Sequence, residues 1–235
     1  MTDRLLLFHA HPDDETITTG ATMAKHAAAG TAVTLVTSTL GELGEILVPS
    51  LAGLEVGRAD QLGGYRLTEL EDAMAALGVS DHRFLGGAGR WRDSGMLGTP
   101  GNDDPRAFWA CSREVALFDE AVAQAVAIID EVRPELVITY DADGGYGHPD
   151  HVMTHRVAMA AIDRAEWRTP ALWWVTEKET DMTVDATAHV GAKITAMRAH
   201  ATQITVVDEQ TFALSDGVPR ELTGVESFLV ARGAA

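Results

Sequence analysis

The stretch RLLLFHAHPDDE, residues 4–15, decides the fold of this chain. Its first part is a short apolar run, which predicts a buried β-strand at residues 4–10. A helical pattern follows at residues 16–29, and a second apolar run, TAVTLVTST, predicts a strand at residues 31–39. Strand, helix and strand in this order predict a βαβ unit at the start of the chain.

The same alternation continues through the rest of the sequence. Helical patterns cover residues 60–77, 113–132, 150–165 and 186–202, and apolar runs predict strands at 82–85, 135–140, 171–176 and 227–231. We therefore predict an α/β, Rossmann-like fold with a mainly parallel sheet and helices on both faces. Because no repeat, low-complexity tract or linker divides the chain, residues 1–235 are expected to form a single domain. Residues 86–104, rich in Gly, Asp and Arg, are expected to form a long functional loop.

Composition excludes several classes of partner. The chain has 35 Asp and Glu against 18 Lys and Arg, and its net charge of −17 disfavours nucleic acid and anionic membrane surfaces. Its single cysteine, Cys111, excludes an internal disulfide and a Cys-rich zinc module. The apolar run at residues 5–8 is too short for a signal peptide. We therefore expect a cytoplasmic protein that binds a small molecule and no nucleic acid or membrane, and a homo-oligomer is compatible with the sequence.

Two polar clusters each follow a predicted strand. HAHPDDE, residues 9–15, follows the first strand, and DGGYGHPDH, residues 143–151, follows the strand ELVITY. Because ligands of open α/β sheets bind at the carboxyl ends of the strands, the two clusters are expected to meet there. A polar turn that caps the next helix would explain the first cluster by itself. The density of histidine and carboxylate in the two clusters together favours a metal site.

Two imidazoles and one carboxylate can bind a divalent ion and leave a position open for water. The candidate ligands in the two clusters are His11, Asp14 and His151. We expect one ion per chain, Zn²⁺, with Fe²⁺ as the alternative metal. Asp13 is then free beside the metal as a general base for water, and His148 could protonate a leaving amine or stabilise an oxyanion. Asp150 is either the N-cap of the following helix or an orienting partner of a catalytic histidine.

The sequence resembles the PIG-L or LmbE-like metal-dependent deacetylases. The two hallmark segments of that family, AHPDDE and HPDH, stand intact at residues 10–15 and 148–151. The stretches DQLGGYRLTEL, LGGAGRWRDSGM, TYDADGGYGHPDHVMTH and AHATQ are similar to the branch that deacetylates N-acetylglucosaminyl-inositol in mycothiol biosynthesis. The region near residues 171–186 is abbreviated relative to that branch.

The resemblance implies a zinc-dependent hydrolase that removes the acetyl group from an N-acetylglucosamine-type sugar and releases acetate and a free amine. It implies the same three metal ligands, the same base, and His148 as acid or oxyanion partner, and it adds Tyr146 as a donor that polarises the carbonyl. For the hydroxyls of the substrate it implies contacts from Arg66, Asp93, Met96 and Glu45.

Other interpretations compete with this one, and one of them is rejected. A sibling amidase that cleaves mycothiol S-conjugates, or a deacetylase of another N-acetyl sugar, would use the same chemistry. A non-haem iron oxygenase also uses two histidines and one carboxylate, but its usual double-stranded β-helix fits this pattern poorly. A dinucleotide-binding module is rejected, because the run Gly87 to Arg92 lacks the third glycine and the carboxylates of HPDDE would repel a pyrophosphate.

Overall fold

A seven-stranded sheet forms the centre of the computed structural model, which describes residues 2–176 and 178–233. The strands of these residues are β1 (Arg4–His9), β2 (Ala32–Thr37), β3 (Asp81–Phe84), β4 (Leu136–Tyr140), β5 (Ala171–Val175), β6 (Met182–Asp185), β7 (Thr205–Val206), β8 (Thr211–Ala213), β9 (Arg220–Glu221) and β10 (Val225–Arg232). The order in the large sheet is β3-β2-β1-β4-β5-β10-β6, and β7, β8 and β9 form a separate small antiparallel sheet.

Helices connect these strands along the chain. They are α1 (Asp14–Ala28), α2 (Leu62–Leu77), α3 (Val115–Val132), the single turn α4 (Gly144–Gly147), α5 (Pro149–Arg164) and α6 (Val190–Ala199). Short 3₁₀ turns occur at Pro49–Leu54, Pro100–Asp103, Phe108–Ser112 and Thr187–His189. Among the helices of the described residues, none is long and apolar enough to cross a membrane.

The central strand β1 is buried on both faces. Leu5 and Leu7 pack into one core with residues of α1, α2 and α6. Leu6 and Phe8 point the other way, into a second core with residues of α3 and α5. Each fully buried side chain of this kind contributes about 1.5–3 kcal/mol of hydrophobic free energy. This two-sided burial explains why the strand sequence is continuously apolar, and it places helices on both faces of the sheet.

The fold predicted from the sequence is confirmed. Strands β1 to β5 are parallel, and β1 lies between β2 and β4, with Leu7 in register with Leu35 and Ile138. The chain leaves β1 toward β2 and β3 and then returns to β4 on the other side. The carboxyl ends of β1 and β4 therefore flank the crevice where an open α/β sheet binds its ligand.

The structure differs from the prediction near the carboxyl end of the chain. The last strand, β10, is longer than expected and antiparallel to both β5 and β6. The helix predicted at residues 186–202 covers only Val190–Ala199, because residues 187–189 form a 3₁₀ turn and the helix ends before His200. Residues 182–185 form β6, a strand that was not predicted. The short strands β6 to β9 carry too short an apolar pattern for the sequence to reveal them.

Candidate metal centre

The three predicted ligands lie together, because both histidines approach the same oxygen of Asp14. The loop after β1 brings His11 Nδ1 to 3.3 Å from Asp14 Oδ2, and the first turn of α5 brings His151 Nε2 to 3.2 Å from the same oxygen. The backbone N–H of His11 also donates to Asp14 Oδ2 at 2.9 Å. The two clusters that follow β1 and β4 therefore meet at the crevice, as the sequence predicted.

The donor set fits a divalent cation. His151 Nε2 is buried and has no hydrogen-bond partner, although it lies beside the Asp14 carboxylate. Burial disfavours the charged form of His11, but Asp93, Asp14 and Asp150 outweigh it and raise the pKa of His11 well above its usual range. Burial likewise opposes the charge of Asp14, and His151 and His11 nevertheless hold the pKa of this carboxyl well below its usual range. An unpaired imidazole nitrogen beside an ionised carboxylate is the arrangement that a metal ion completes.

Asp150 is fully buried and contacts His11 rather than capping its own helix. Its Oδ2 lies 3.2 Å from His11 Nε2 and accepts a hydrogen bond from Ser94 N at 2.9 Å, and its Oδ1 accepts one from Ser94 Oγ. The N-cap of α5 is His148, so the N-cap alternative for Asp150 is wrong. A carboxylate that hydrogen-bonds one imidazole nitrogen leaves the other nitrogen free to bind a metal. In His11 the other nitrogen is Nδ1, which faces Asp14.

His148 is held in a defined tautomer. Its Nδ1 accepts a hydrogen bond from the backbone N–H of Asp150 at 3.1 Å, so the ring carries its proton on Nε2. Burial, and the neighbouring His11 and His151, lower the pKa of His148 to about 3. A nitrogen of His148 also lies within 4.8 Å of nitrogens of His11 and His151. The structure therefore provides a neutral N–H donor at the edge of the ligand cluster.

Asp13 has an unusual backbone and a buried partner. Its φ is 126° and its ψ −37°, and Arg66 Nη2 lies 3.1 Å from its Oδ2. Burial raises the pKa of Asp13 to about 6, although Arg66 opposes this shift. Arg66 is only 2% exposed and also donates to the carbonyl oxygens of Gly41, at 2.8 Å, and of Pro12. Nη1 and Nη2 of Arg66 thus bond to Asp13 and to two backbone carbonyls, whereas Nε is buried without a hydrogen-bond partner among the described residues.

The other predicted substrate contacts fall into two groups. Asp93 is buried with its Oδ1 3.7 Å from His11 Nε2, and its carboxylate accepts from the backbone of Leu43 and Gly95. Tyr146 and Met96 are exposed, and the Tyr146 ring lies 5.0 Å from the His151 ring. Glu45 is exposed, and its carbonyl accepts from Gln203. The structure brings Asp93 and Tyr146 to the ligand cluster and leaves the side chains of Met96 and Glu45 at the surface.

Sequence reasoning missed three residues that support the cluster. Tyr140, at the end of β4, stacks on the His151 ring with centroids 4.2 Å apart, and its hydroxyl accepts from the backbone N–H of Ala10. Glu15 and His200 form a buried pair with Oε1 and Nε2 2.8 Å apart. Burial opposes the charge on His200, but Glu15 outweighs it and raises the pKa of this imidazole. The AHATQ segment was the available signal for His200.

The sheet and the cluster at its switch point define an α/β protein with a candidate metal centre built from histidine and carboxylate. The family model of PIG-L, GlcNAc-PI de-N-acetylase, matches residues 6–162. The chain belongs to this family. Membership confirms the resemblance seen in the sequence, and the parallel sheet argues against the iron oxygenase alternative.

Several curated relatives match nearly the whole chain. The 1D-myo-inositol 2-acetamido-2-deoxy-alpha-D-glucopyranoside deacetylase of Geodermatophilus obscurus is 49% identical, over 98% of this chain and 92% of the relative. The protein of the same name from Acidothermus cellulolyticus is also 49% identical, over 100% of this chain and 91% of the relative. Among solved structures, N,N'-diacetylchitobiose deacetylase from Pyrococcus horikoshii superposes with a TM-score of 0.63 at 24% identity, over 86% of this chain and 70% of that one. That last likeness concerns the fold.

Proposed function

We propose that this chain is a metal-dependent deacetylase that hydrolyses the acetamide of N-acetylglucosaminyl-inositol, releasing acetate and a free amine in mycothiol biosynthesis. The observation that carries the proposal is the convergence of His11 Nδ1 and His151 Nε2 on Asp14 Oδ2, with Asp13 as the adjacent residue. The curated name of relatives at 49% identity supports the substrate.

His11, Asp14 and His151 would hold one ion per chain. Zinc fits two imidazoles and a carboxylate, and ferrous iron accepts the same set. A cation held there would supply a Lewis acid that polarises the amide carbonyl and lowers the pKa of a water. Asp150 would keep His11 in the orientation that directs Nδ1 at Asp14.

Asp13 is the proposed general base. Its side chain is 14% exposed, so it can reach a water in the crevice while Arg66 fixes its other edge at 3.1 Å. The carboxylate removes a proton from the water that attacks the acetamide carbon. When the resulting tetrahedral species collapses, Asp13 returns that proton to the amine that leaves.

His148 and Tyr146 are proposed to stabilise the oxyanion. His148 presents its Nε2–H because its Nδ1 already accepts from Asp150 N. The Tyr146 hydroxyl would donate from the exposed side of the His151 ring. Donors aimed at an oxygen that gains charge in the transition state contribute about 3–4 kcal/mol each.

Asp93, Met96 and Glu45 remain proposed substrate contacts at the mouth. Arg66 also remains a proposed substrate contact, and it pairs with the carboxylate of Asp13 at 3.1 Å. We also propose that residues 1–235 act as a single domain in the cytoplasm on a neutral amino sugar, without nucleic acid or membrane. The buried thiol of Cys111 suits a reducing compartment.

The test compares the wild type with Asp13→Asn, using Asp119→Asn on the exposed face of α3 as the matched control. Each metal-depleted protein is reloaded with zinc or ferrous iron. Acetate release is then measured from N-acetylglucosaminyl-inositol and from simple N-acetyl sugars. Release of a free amine is measured from a mycothiol S-conjugate, because the amidase alternative hydrolyses an amide other than an acetamide. We expect Asp13→Asn to retain its metal and to lose about 10²–10⁴-fold in kcat, with the control unchanged. Release of no acetate by the wild type from any N-acetyl sugar, or full turnover by Asp13→Asn, would contradict the proposal.

A further inference from the structure

A buried ion pair lies behind the proposed base and has no part in the mechanism above. His200 Nε2 and Glu15 Oε1 are 2.8 Å apart, and both side chains are 0% exposed. Glu15 is in the first turn of α1, and His200 directly follows α6, which packs against α1. Burying a charged pair carries a desolvation cost that can cancel the attraction between the two charges. A contribution to stability therefore does not by itself explain why this pair is buried here.

The backbone of Asp13 needs an external support. A residue with a β-carbon at φ 126° and ψ −37° is strained, at a cost of about 1–3 kcal/mol, and persists only where its surroundings hold it. Glu15 Oε2 accepts the hydrogen bond of the Asp13 N–H at 2.9 Å. Arg66 holds the carboxylate at the other end of the same residue. The backbone of Asp13 and its side chain are thus fixed by two separate groups.

The Glu15 carboxylate is in turn fixed by His200. Its Oε1 accepts from Thr16 Oγ1 at 2.6 Å and faces His200 Nε2, while its Oε2 is left for the Asp13 N–H. Without the N–H of His200, the carboxylate is a buried anion that has lost its cation and is held by its hydrogen bonds from Thr16 and Asp13 alone. The hydrogen bond to Asp13 would then weaken, although no atom of Asp13 itself has changed.

We infer that Glu15 and His200 are positioning residues that hold the backbone of Asp13 in its strained conformation and so aim the base at the attacking water. This rests on the proposed function, in which Asp13 is the base. A displacement of about 1 Å of a catalytic group costs on the order of 100-fold in rate. The loss should appear in kcat, because the Glu15 side chain bonds to the backbone of Asp13, and Asp13 acts in the chemical step.

His200→Leu removes the donor at nearly constant volume, and His200→Gln restores an N–H close to the position of Nε2. Lys193→Met is the matched control, because it breaks another buried pair of α6, with Glu226, that lies away from Asp13. On whichever N-acetyl sugar the wild type deacetylates fastest, His200→Leu should lose about 100-fold in kcat with KM and metal content unchanged. His200→Gln should recover to within about tenfold of the wild type, and Lys193→Met should lower stability but not kcat.

A second readout needs no turnover. Amide hydrogen exchange followed by NMR should show the Asp13 N–H protected in the wild type and in His200→Gln, and exchanging at least about tenfold faster in His200→Leu. Wild-type kcat and wild-type Asp13 protection in a folded His200→Leu protein would overturn the inference. So would an equal loss of kcat in Lys193→Met, which would make the effect one of stability.

If His200→Leu does not fold, Glu15→Gln decides the question. It keeps the shape of the side chain, but its one carbonyl oxygen cannot replace both Oε1, which faces Thr16 and His200, and Oε2, which accepts from Asp13 N. We therefore expect the same loss of kcat and the same faster exchange. Asp13→Asn is measured in parallel. Full activity in that variant refutes the proposed base, whereas an inactive Asp13→Asn beside fully active Glu15 and His200 variants refutes the positioning role alone.

Discussion

Lys193→Met tests the buried ion pair that joins α6 to β10 and α1. Lys193 is 3% exposed and Glu226 is 5% exposed, and Nζ lies 2.7 Å from Oε1. The Glu226 carboxylate also accepts hydrogen bonds from Ala21 N at 3.0 Å and from Thr22 N at 2.8 Å. Methionine keeps the apolar length of the lysine and removes its charge, so the substitution isolates the charge.

The expected loss of stability follows from what remains around Glu226. Removing one partner of a buried pair costs about 3–5 kcal/mol, because the other charge is left without compensation. The backbone N–H groups of Ala21 and Thr22 still donate hydrogen bonds to the carboxylate. We therefore expect a loss of unfolding free energy at the lower end of this range, about 3 kcal/mol. For a chain of this length, about 1 kcal/mol lowers Tm by about 2–4 °C, so Tm should fall by about 6–12 °C.

The assay is thermal and urea unfolding followed by circular dichroism, with every protein in the same metal state. Arg164→Met is the control, because it breaks the exposed Arg164–Asp119 pair and should cost less than about 1 kcal/mol. In the double variant Lys193→Met, Glu226→Gln, at least about 1 kcal/mol should be recovered relative to additivity. A Tm within about 2 °C of the wild type for Lys193→Met, or strictly additive effects, would refute the reasoning.

Three further predictions follow from burial and close approach. Burial raises the pKa of the Cys111 thiol to about 12. At pH 8, DTNB should therefore react with Cys111 at least about 100-fold more slowly in the folded protein than after unfolding in urea. Rapid reaction of the folded protein would contradict this. Gly41→Ala, at φ 64°, places a methyl group against the Arg66 guanidinium and should lower kcat about tenfold. Its control is Gly30→Ala, at φ 85° with open space around it, which should cost only about 1 kcal/mol of stability. Equal kcat in the two variants would argue against a role for Arg66. Removing the metal with a chelator should lower Tm. Adding zinc at about a thousandfold over its Kd should restore about 4 kcal/mol of the free energy of unfolding. A Tm that does not change when zinc is added would count against the site.

The strands that carry the site were predictable because each is a continuous apolar run. β1 and β4 are buried on both faces, and this burial produces the pattern that a sequence reveals. β6 and the small sheet of β7, β8 and β9 were not predictable. Their strands have two to four residues, and pairing with distant strands determines them more than local propensity does.

The candidate site was predictable where loop sequence and strand position coincide. His11, Asp14 and His151 meet because their two loops follow neighbouring parallel strands. Glu15 and His200 are 185 residues apart in the chain, and the AHATQ segment marks His200 without indicating its partner. The side-chain direction of Arg66 was equally hidden, because a helical pattern gives the face of a helix but not the partner of a long side chain.

The mouth of the crevice has two rims whose side chains differ in exposure. On one side, Ser94 donates to Asp150 and Asp93 accepts from Leu43, so the long loop is fastened to the floor of the site by buried hydrogen bonds. On the other side, the exposed Tyr146 stands on a glycine-rich turn, which Asp143 N and Gly145 N fasten to the Asp141 carboxylate. We expect ligands that differ where they touch the buried rim to be discriminated sharply, and ligands that differ on the other side to be accommodated by rotation of the exposed Tyr146 side chain.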